Sequence, residues 1–128
     1  MRRVIFTELA PRPVGPYSQA VRAGDLVFVA GQVPIDPRTG KVVKGGIREQ
    51  TRQVLENVRA ILGAAGCTLE DVVKVNVYIR RREDFQAMNE VYSQYFQKDP
   101  PARTTVVCDL VREEFLVEID AVAVAKTG

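Results

Sequence analysis

The last predicted strand, Phe115–Val124, limits the fold more than any other segment of the chain. Successive side chains of a strand alternate between its two faces, and one face here is wholly apolar, with Phe115, Val117, Ile119, Ala121 and Ala123. The opposite face mixes acids with apolar side chains, namely Leu116, Glu118, Asp120, Val122 and Val124. The first face needs a covering layer of helices, whereas the second leaves apolar side chains in water unless another subunit packs there. We therefore expect a sheet with helices on one face, and an oligomer.

Two helices and several further strands are predicted around this last strand. Apolar residues recur at helical spacing over Ile47–Ala65, and a second helix is expected from about Glu83 to Gln97. The second helix has an apolar face formed by Phe85, Met88, Tyr92, Tyr95 and Phe96. Strands are expected at residues 18–22, 26–30, 72–80 and 104–108, the third with Val73, Val75, Val77 and Ile79 on one face. This order predicts an α+β fold, a single domain over residues 1–128, with one mixed β-sheet and two helices on one face.

Charge and missing residue types limit the chemistry. The net charge of +2 gives no general affinity for nucleic acid or membrane, and the run Arg80–Arg82 is more typical of a solvated loop. No apolar run approaches the roughly 20 residues that span a bilayer, so we expect a cytoplasmic protein. The chain has no histidine, the commonest general base and zinc ligand. Cys67 and Cys108 match no metal motif and are expected to be reduced and buried. A metal-free mechanism is favoured, although an all-carboxylate magnesium site stays open.

Arg103 and Glu118 are the candidates for chemistry. Arg103 follows two prolines that restrict its backbone, and a guanidinium can bind a carboxylate through two parallel hydrogen bonds. Glu118 and Asp120 share one face of their strand, so one could act as a general base that the other orients. If residues 109–114 form a hairpin connection, Arg103 faces a residue near Val122 and Glu118 lies about 13 Å along the same face. Taken alone, an ordinary ion pair or a surface position also explains these groups.

Six motifs follow one another along the chain: Gly15-Pro16-Tyr17-Ser18-Gln19-Ala20, Val29-Ala30-Gly31-Gln32-Val33-Pro34, Asn57-Val58, Ala64-Ala65-Gly66, Pro101-Ala102-Arg103 and Val117-Glu118-Ile119-Asp120-Ala121. With these motifs the chain resembles the RidA (YjgF-like) family from about residue 5 to residue 125. The resemblance implies a chorismate-mutase-like fold and a homotrimer with sites in the clefts between subunits. It also implies hydrolysis of reactive 2-iminoacids or their enamine tautomers, for example of the 2-iminobutyrate type, to 2-oxoacids and ammonia. No metal or organic cofactor is implied.

The resemblance also implies roles for individual residues. Arg103 would bind the substrate carboxylate, and Glu118 would orient or deprotonate the attacking water. The implied substrate-binding residues are Tyr17, Gly31, Asn89 and Thr105. Ala30 stands where many deaminases of the family carry Ser or Thr, and Thr105 stands where several carry Cys. The first departure removes a hydroxyl contact, and the second leaves Cys108 out of register with any catalytic cysteine.

Two other functions remain open. A trimer with the same clefts could bind a 2-oxoacid or another metabolite without catalysis, and Ala30 slightly favours this alternative. A ribonuclease or translation inhibitor is a role sometimes attached to members of the family, but the absence of histidine and the near-neutral charge argue against it.

Overall fold

The main sheet has six strands in a computed structural model that describes residues 2–125. Met1 and residues 126–128, which the predicted domain includes, lie outside the described residues. The strands are β1 (Arg2–Ile5), β2 (Ala20–Ala23), β3 (Leu26–Gln32), β4 (Ile35–Asp36), β5 (Lys41–Val42), β6 (Val72–Ile79), β7 (Ala102–Val107) and β8 (Val117–Val124), and the α-helices are α1 (Ile47–Ala64) and α2 (Phe85–Tyr95). The main sheet has the order β1-β2-β3-β8-β6-β7, and β4 and β5 pair separately. Among these strands β6 and β7 are parallel and the other neighbours antiparallel. The predicted mixed sheet is confirmed.

Helix α1 forms where its periodicity predicts it and packs against β3, β8 and α2. It begins after Gly46, whose N–H donates to the Glu49 carboxylate at 2.9 Å. It ends before Gly66, which has a φ of 78°, in the left-handed region that glycine adopts without steric cost. The core between α1 and the sheet includes Val54, Leu55, Val58, Ile61 and Leu62 of the helix and Val27, Val29, Val75, Val77 and Ile119 of the strands. We call the side of the sheet that α1 covers the helix face, and the opposite side the open face.

The alternation predicted for the last strand is confirmed. Its apolar residues are buried on the helix face, whereas Glu118, Asp120 and Val122 are half-buried on the open face. Other large apolar side chains of the open face are substantially exposed, including Val4, Leu26, Phe28, Val106 and Val124. The described part of the chain therefore leaves an apolar patch of the open face in solvent. The oligomer inferred from this face stays a prediction.

The predicted hairpin between the last two strands is wrong, because β6 lies between β7 and β8. β7 pairs in parallel with β6, and β8 pairs antiparallel with both β6 and β3. Parallel neighbours need a long crossover connection, and the chain that contains α2 supplies it between β6 and β7. Residues 108–116 consequently cross from β7 past β6 to reach β8, and a tight turn is not formed.

The arginine run that begins at Arg80 has structural contacts at this crossing. Arg80 donates to the carbonyl oxygens of Phe115 at 2.9 Å, Leu110 at 3.2 Å and Arg112 at 2.7 Å. The next residue, Arg81, donates to the Asp84 carboxylate at 3.1 Å ahead of α2. These contacts fix the loop that borders β8, and they agree with the interpretation of the run as part of a loop and a helix start.

Three local expectations are wrong. Val73 does not share the buried face of β6, because a bulge opposite β8 between Val72 and Lys74 leaves Val73 47% exposed. Phe85 is 43% exposed, since the buried side of α2 is centred on Met88 and includes Val91. Strand β1 was not expected, because its charged start hides the pattern and only its last residue is buried at this sheet edge.

Candidate active site

Arg103 lies on β7 with its guanidinium over aromatic rings of α2. Its register partner on β6 is the buried Val75, so the Arg103 side chain projects on the helix face. The guanidinium carbon is 4.7 Å from the ring centre of Tyr92 and 5.8 Å from that of Phe85. Both distances are within the roughly 6 Å reach of cation–π attraction. Among residues 2–125 no carboxylate forms a salt bridge with Arg103. Its positive charge is therefore left available to an anion.

Two buried polar atoms on this face, Asn89 Oδ1 and Thr105 Oγ1, have no hydrogen-bond partner in the described chain, while the buried Tyr92 Oη faces the Arg103 guanidinium. Asn89 and Tyr92 line a depression of about 320 Å³ together with Arg103, and Thr105 lies two residues further along β7 on the same face. Leaving a buried polar group unpaired costs roughly 1–3 kcal/mol, so such a cluster indicates a place where a polar ligand binds. The structure thus brings together the predicted site residues Arg103 and Asn89, and it places Thr105 on the same face of β7 but outside the lining of their depression.

Glu118 lies on the open face with its carboxylate against the backbone of Gly31. A side-chain carbon built on Gly31 would lie only 2.1 Å from Glu118 Oε2, so the absence of a side chain there permits this approach. The pairing of β3 with β8 shifts its register between Val29 and Gln32, which places Gly31 in an irregular part of the strand. Glu118 also lines a shallow depression of about 210 Å³. The structure therefore brings the predicted residues Gly31 and Glu118 together.

The surroundings of Glu118 favour its protonated form. Burial raises the pKa of the Glu118 carboxyl, and the negative charge of Asp120 raises it further. Asp120 itself accepts hydrogen bonds from Asn76 Nδ2 and from the Tyr78 hydroxyl, each at 2.9 Å. The bond to Asp120 raises the pKa of Tyr78 to about 12, so Tyr78 stays protonated. A carboxyl group with a raised pKa beside an open depression is suited to accept and donate protons.

Arg103 and Glu118 lie on opposite faces of the sheet, which corrects the expectation that they share one face. Arg103 is level with Val75 and Ala121, and Glu118 is three residues from Ala121 along β8. Two strand spacings and three residue steps separate the Cα atoms of Arg103 and Glu118 by about 14 Å. The expected separation was similar, but it came from a hairpin register that the inserted β6 removes.

Tyr17 is not brought to either group. It lies in the loop before β2, is half exposed, and accepts a hydrogen bond through its hydroxyl from the Val14 N–H at 3.3 Å. Neither the Arg103 depression nor the Glu118 depression has Tyr17 in its lining. The expectation that both cysteines are buried is wrong for one of them. Cys67 is buried, but Cys108 is half-exposed and borders the Glu118 depression.

Sequence reasoning missed the residues that support these two groups. Phe85 and Tyr92 were assigned to the core, yet their rings contact the Arg103 guanidinium. Asn76 and Tyr78 of β6 contact Asp120 only because β8 is the neighbour of β6, and that pairing was not predicted. A signal was present for the first pair, because Phe85, Asn89 and Tyr92 are spaced i, i+4, i+7 and share one side of a helix.

Among residues 2–125, no group of three or more acidic or cysteine side chains could hold a metal ion. None of the helices there has both the length and the apolar character needed to cross a bilayer.

The family model described as Endoribonuclease L-PSP matches residues 7–125. A RutC family protein of Pyrococcus horikoshii is 57% identical over 96% of this chain and 98% of its own. A Dermatophagoides farinae protein named 2-iminobutanoate/2-iminopropanoate deaminase is 43% identical over 96% of both chains.

Solved structures agree closely with the fold. A Thermotoga maritima protein provisionally named an endoribonuclease has a TM-score of 0.94 and 49% identity, over 99% of this chain and 100% of its own. RidA from an Antarctic Psychrobacter has a TM-score of 0.91 and 39% identity, over 95% and 98%. E. coli TdcF with bound serine has a TM-score of 0.91 and 39% identity, over 97% and 99%. The mixed sheet, the two helices and these matches define a Rid-type α+β protein. The chain belongs to the RidA (YjgF-like) family, whose model is the one described as Endoribonuclease L-PSP.

Proposed function

We propose that this protein hydrolyses 2-iminoacids and their enamine tautomers to 2-oxoacids and ammonia, as a cytoplasmic homotrimer with its sites between subunits. The observation that carries the proposal is the Arg103 guanidinium, which lies half-buried over an aromatic ring with no acidic partner among residues 2–125. A fixed, uncompensated guanidinium is suited to bind the carboxylate of such a substrate through two hydrogen bonds. The deaminase name of the Dermatophagoides farinae relative and the serine bound to E. coli TdcF agree with a small ligand derived from an amino acid.

The chemistry needs one water and one group that exchanges protons. The ionised Glu118 accepts a proton from water while the water oxygen bonds to the imine carbon, and the imine nitrogen is protonated to give a carbinolamine. Glu118 then gives the proton that it took from water to the amino nitrogen of that intermediate, the carbon–nitrogen bond breaks with its electron pair leaving on ammonia, and the hydroxyl proton passes to solvent to give the 2-oxoacid. General acid–base help of this kind contributes about 10²–10⁴-fold. Asn89 and Thr105 would supply hydrogen bonds to the bound substrate, with Gly31 beside the reacting carbon and Tyr17 as a further wall.

The opposite faces of Arg103 and Glu118 support a site shared by two chains. A substrate held by Arg103 of one chain cannot reach Glu118 of the same chain, because the sheet lies between them. The apolar patch of the open face supports the same assembly. Phe28→Asp would place a charge in this patch, so we expect sedimentation to show dissociation of the trimer, with Leu9→Asp on the exposed loop between β1 and β2 as the control. A trimer that persists in Phe28→Asp would contradict the proposed interface.

The deaminase is tested by the release of 2-oxoacid from iminoacids generated in situ by an amino-acid oxidase or a dehydratase. The wild-type protein should accelerate release over the spontaneous rate, and Arg103→Ala should lie close to background. Arg59→Ala is a matched control, since Arg59 also lies over a tyrosine ring of α2, 5.0 Å from the Tyr95 centroid, and does not line the Arg103 depression. Equal rates for the wild-type protein and Arg103→Ala would contradict the proposal.

A second candidate is non-enzymatic binding of a 2-oxoacid by the same clefts. Ala30 favours it, because its backbone N–H bonds to the Gln19 carbonyl at 2.9 Å while its methyl group offers the site no hydrogen bond. Protection by 2-oxobutyrate in thermal unfolding without turnover of any imine would support this candidate over the deaminase.

A further inference from the structure

One side of α2 forms an aromatic floor beneath the Arg103 guanidinium. Phe85 and Tyr92 are seven residues apart, and Asn89 lies between them on the same side of the helix. The two rings differ in how firmly they are held. Tyr92 is 6% exposed and stacks at 4.7 Å on the ring of Phe96, whereas Phe85 is 43% exposed. Tyr92 is also the ring nearer to Arg103.

The position of the Arg103 guanidinium depends on the rings of Phe85 and Tyr92, because no carboxylate of the described chain forms an ion pair with Arg103. An arginine side chain loses considerable rotamer freedom when it is fixed, and an acidic partner commonly compensates for that loss. At Arg103 an acidic partner would also occupy the donors that a carboxylate ligand needs. A ring beneath the guanidinium plane attracts the cation through its face and leaves the in-plane N–H donors free.

We propose that Tyr92 is a positioning residue whose ring holds the Arg103 guanidinium in place for the carboxylate of the ligand. This inference rests on the proposed function for the identity of the ligand, but its first test does not require catalysis. The ring face carries the effect: the buried hydroxyl makes no hydrogen bond of good geometry in the described chain, although it faces Arg103, whose guanidinium opposes the rise that burial causes in the pKa of Tyr92. Tyr92→Phe should therefore behave like the wild-type protein, and Tyr92→Leu should not.

The kinetic test compares Tyr92→Phe and Tyr92→Leu with a matched control. Tyr95→Leu removes a ring of the same helix that lies over Arg59 and is absent from the Arg103 depression. We expect Tyr92→Leu to raise KM for the iminoacid about five- to thirtyfold with kcat changed less than twofold. The reason is that Arg103 binds the substrate carboxylate equally in the ground state and in the transition state, so a less well held guanidinium weakens both to the same extent. Tyr92→Phe and Tyr95→Leu should keep KM within twofold.

A second readout separates this inference from the deaminase proposal. Relaxation of ¹⁵N at the Arg103 Nε–H reports how well the guanidinium is ordered, whether or not the protein turns over any imine. The Arg103 signal should be ordered in the wild-type protein and in Tyr92→Phe and mobile in Tyr92→Leu, while the Arg59 signal stays unchanged. An Arg103 signal equally ordered in Tyr92→Leu, or a KM in Tyr92→Phe as high as in Tyr92→Leu, would overturn the role of the ring. Absence of turnover in the wild-type protein together with the expected relaxation pattern would overturn the deaminase alone.

Discussion

Replacing Gly31 with alanine would displace the Glu118 carboxylate while leaving the fold nearly intact. The added carbon would lie 2.1 Å from Glu118 Oε2, 3.0 Å from Cδ and 3.2 Å from Cγ, whereas ordinary contact begins at 3.4 Å. The oxygen must therefore move by 3.4 − 2.1, or about 1.3 Å, and the carboxyl carbon by a few tenths of an ångström. The atoms that must move are the end of a flexible side chain, so rotation about the side-chain bonds of Glu118 can relieve the clash.

The two expected effects differ greatly in size. Moving Glu118 off its preferred rotamer costs on the order of 0.5–1.5 kcal/mol, which would lower the midpoint of thermal unfolding by a few degrees. Misplacing a catalytic group by about 1 Å can cost 10²-fold in rate. We therefore expect Gly31→Ala to lower kcat for the iminoacid about a hundredfold with a loss of unfolding free energy near 1 kcal/mol.

The assay is the release of 2-oxoacid, with thermal unfolding measured on the same samples. Gly63→Ala is the matched control, because nothing lies within 4 Å of a carbon added there and alanine is favoured in a helix. If the displaced carboxylate is the whole effect, Gly31→Ala in a Glu118→Gln background should lose no further activity. Activity of Gly31→Ala within threefold of the wild-type rate would refute this reasoning, since Glu118 would then act equally well from another position or not act at all.

Two further predictions concern charge and burial. Asp120→Asn removes a negative charge that, together with burial, raises the pKa of Glu118, so the pKa of Glu118 should fall. Because Glu118 must be ionised to act as the base, the acid limb of the pH profile of kcat/KM should move to lower pH. An acid limb at the same pH as in the wild-type protein would exclude the coupling between Asp120 and Glu118. Asn57→Leu should lower the free energy of unfolding in urea by about 2–4 kcal/mol, because the buried Asn57 donates to the carbonyl oxygens of Val33 and Ile35 and both would lose their partner. Arg52→Ala, at an exposed position of the same helix, is the control for Asn57, and a loss as large as that of Asn57→Leu would contradict the role of the buried bonds.

The elements of the fold could be predicted from the sequence because their signals are local. The helical spacing over Ile47–Ala65 and the alternation over Phe115–Val124 each follow from one side of the element being buried. Gly66 marks the end of α1 for an equally local reason, since its φ of 78° is strained for other residues. Strand β1 escaped prediction because an edge strand with one buried residue has no such pattern.

The neighbours of each strand could not be predicted in the same way. Sequential strands are adjacent more often than not, which made a hairpin between β7 and β8 the natural expectation. The parallel pairing of β6 with β7 depends on the crossover through α2, and local periodicity carries no record of it. The face on which Arg103 projects follows from its register with Val75, so the error in pairing became an error about the site.

Each part of the candidate site contains groups that the rest of the described chain leaves uncompensated. On the helix face these are the Arg103 guanidinium and the unpaired oxygens Asn89 Oδ1 and Thr105 Oγ1. On the open face they are the Glu118 carboxyl, whose pKa is raised by burial, and the irregular strand position of Gly31, where a side chain would clash with that carboxyl. Each feature lowers the stability of an isolated chain, so a sequence selected for folding alone would not retain all of them. Their position on opposite faces means that no ligand can relieve both sets within one chain. In the proposed trimer, contact between two chains would bring the helix face of one beside the open face of the other, and a substrate with a carboxylate and an imine would then meet both.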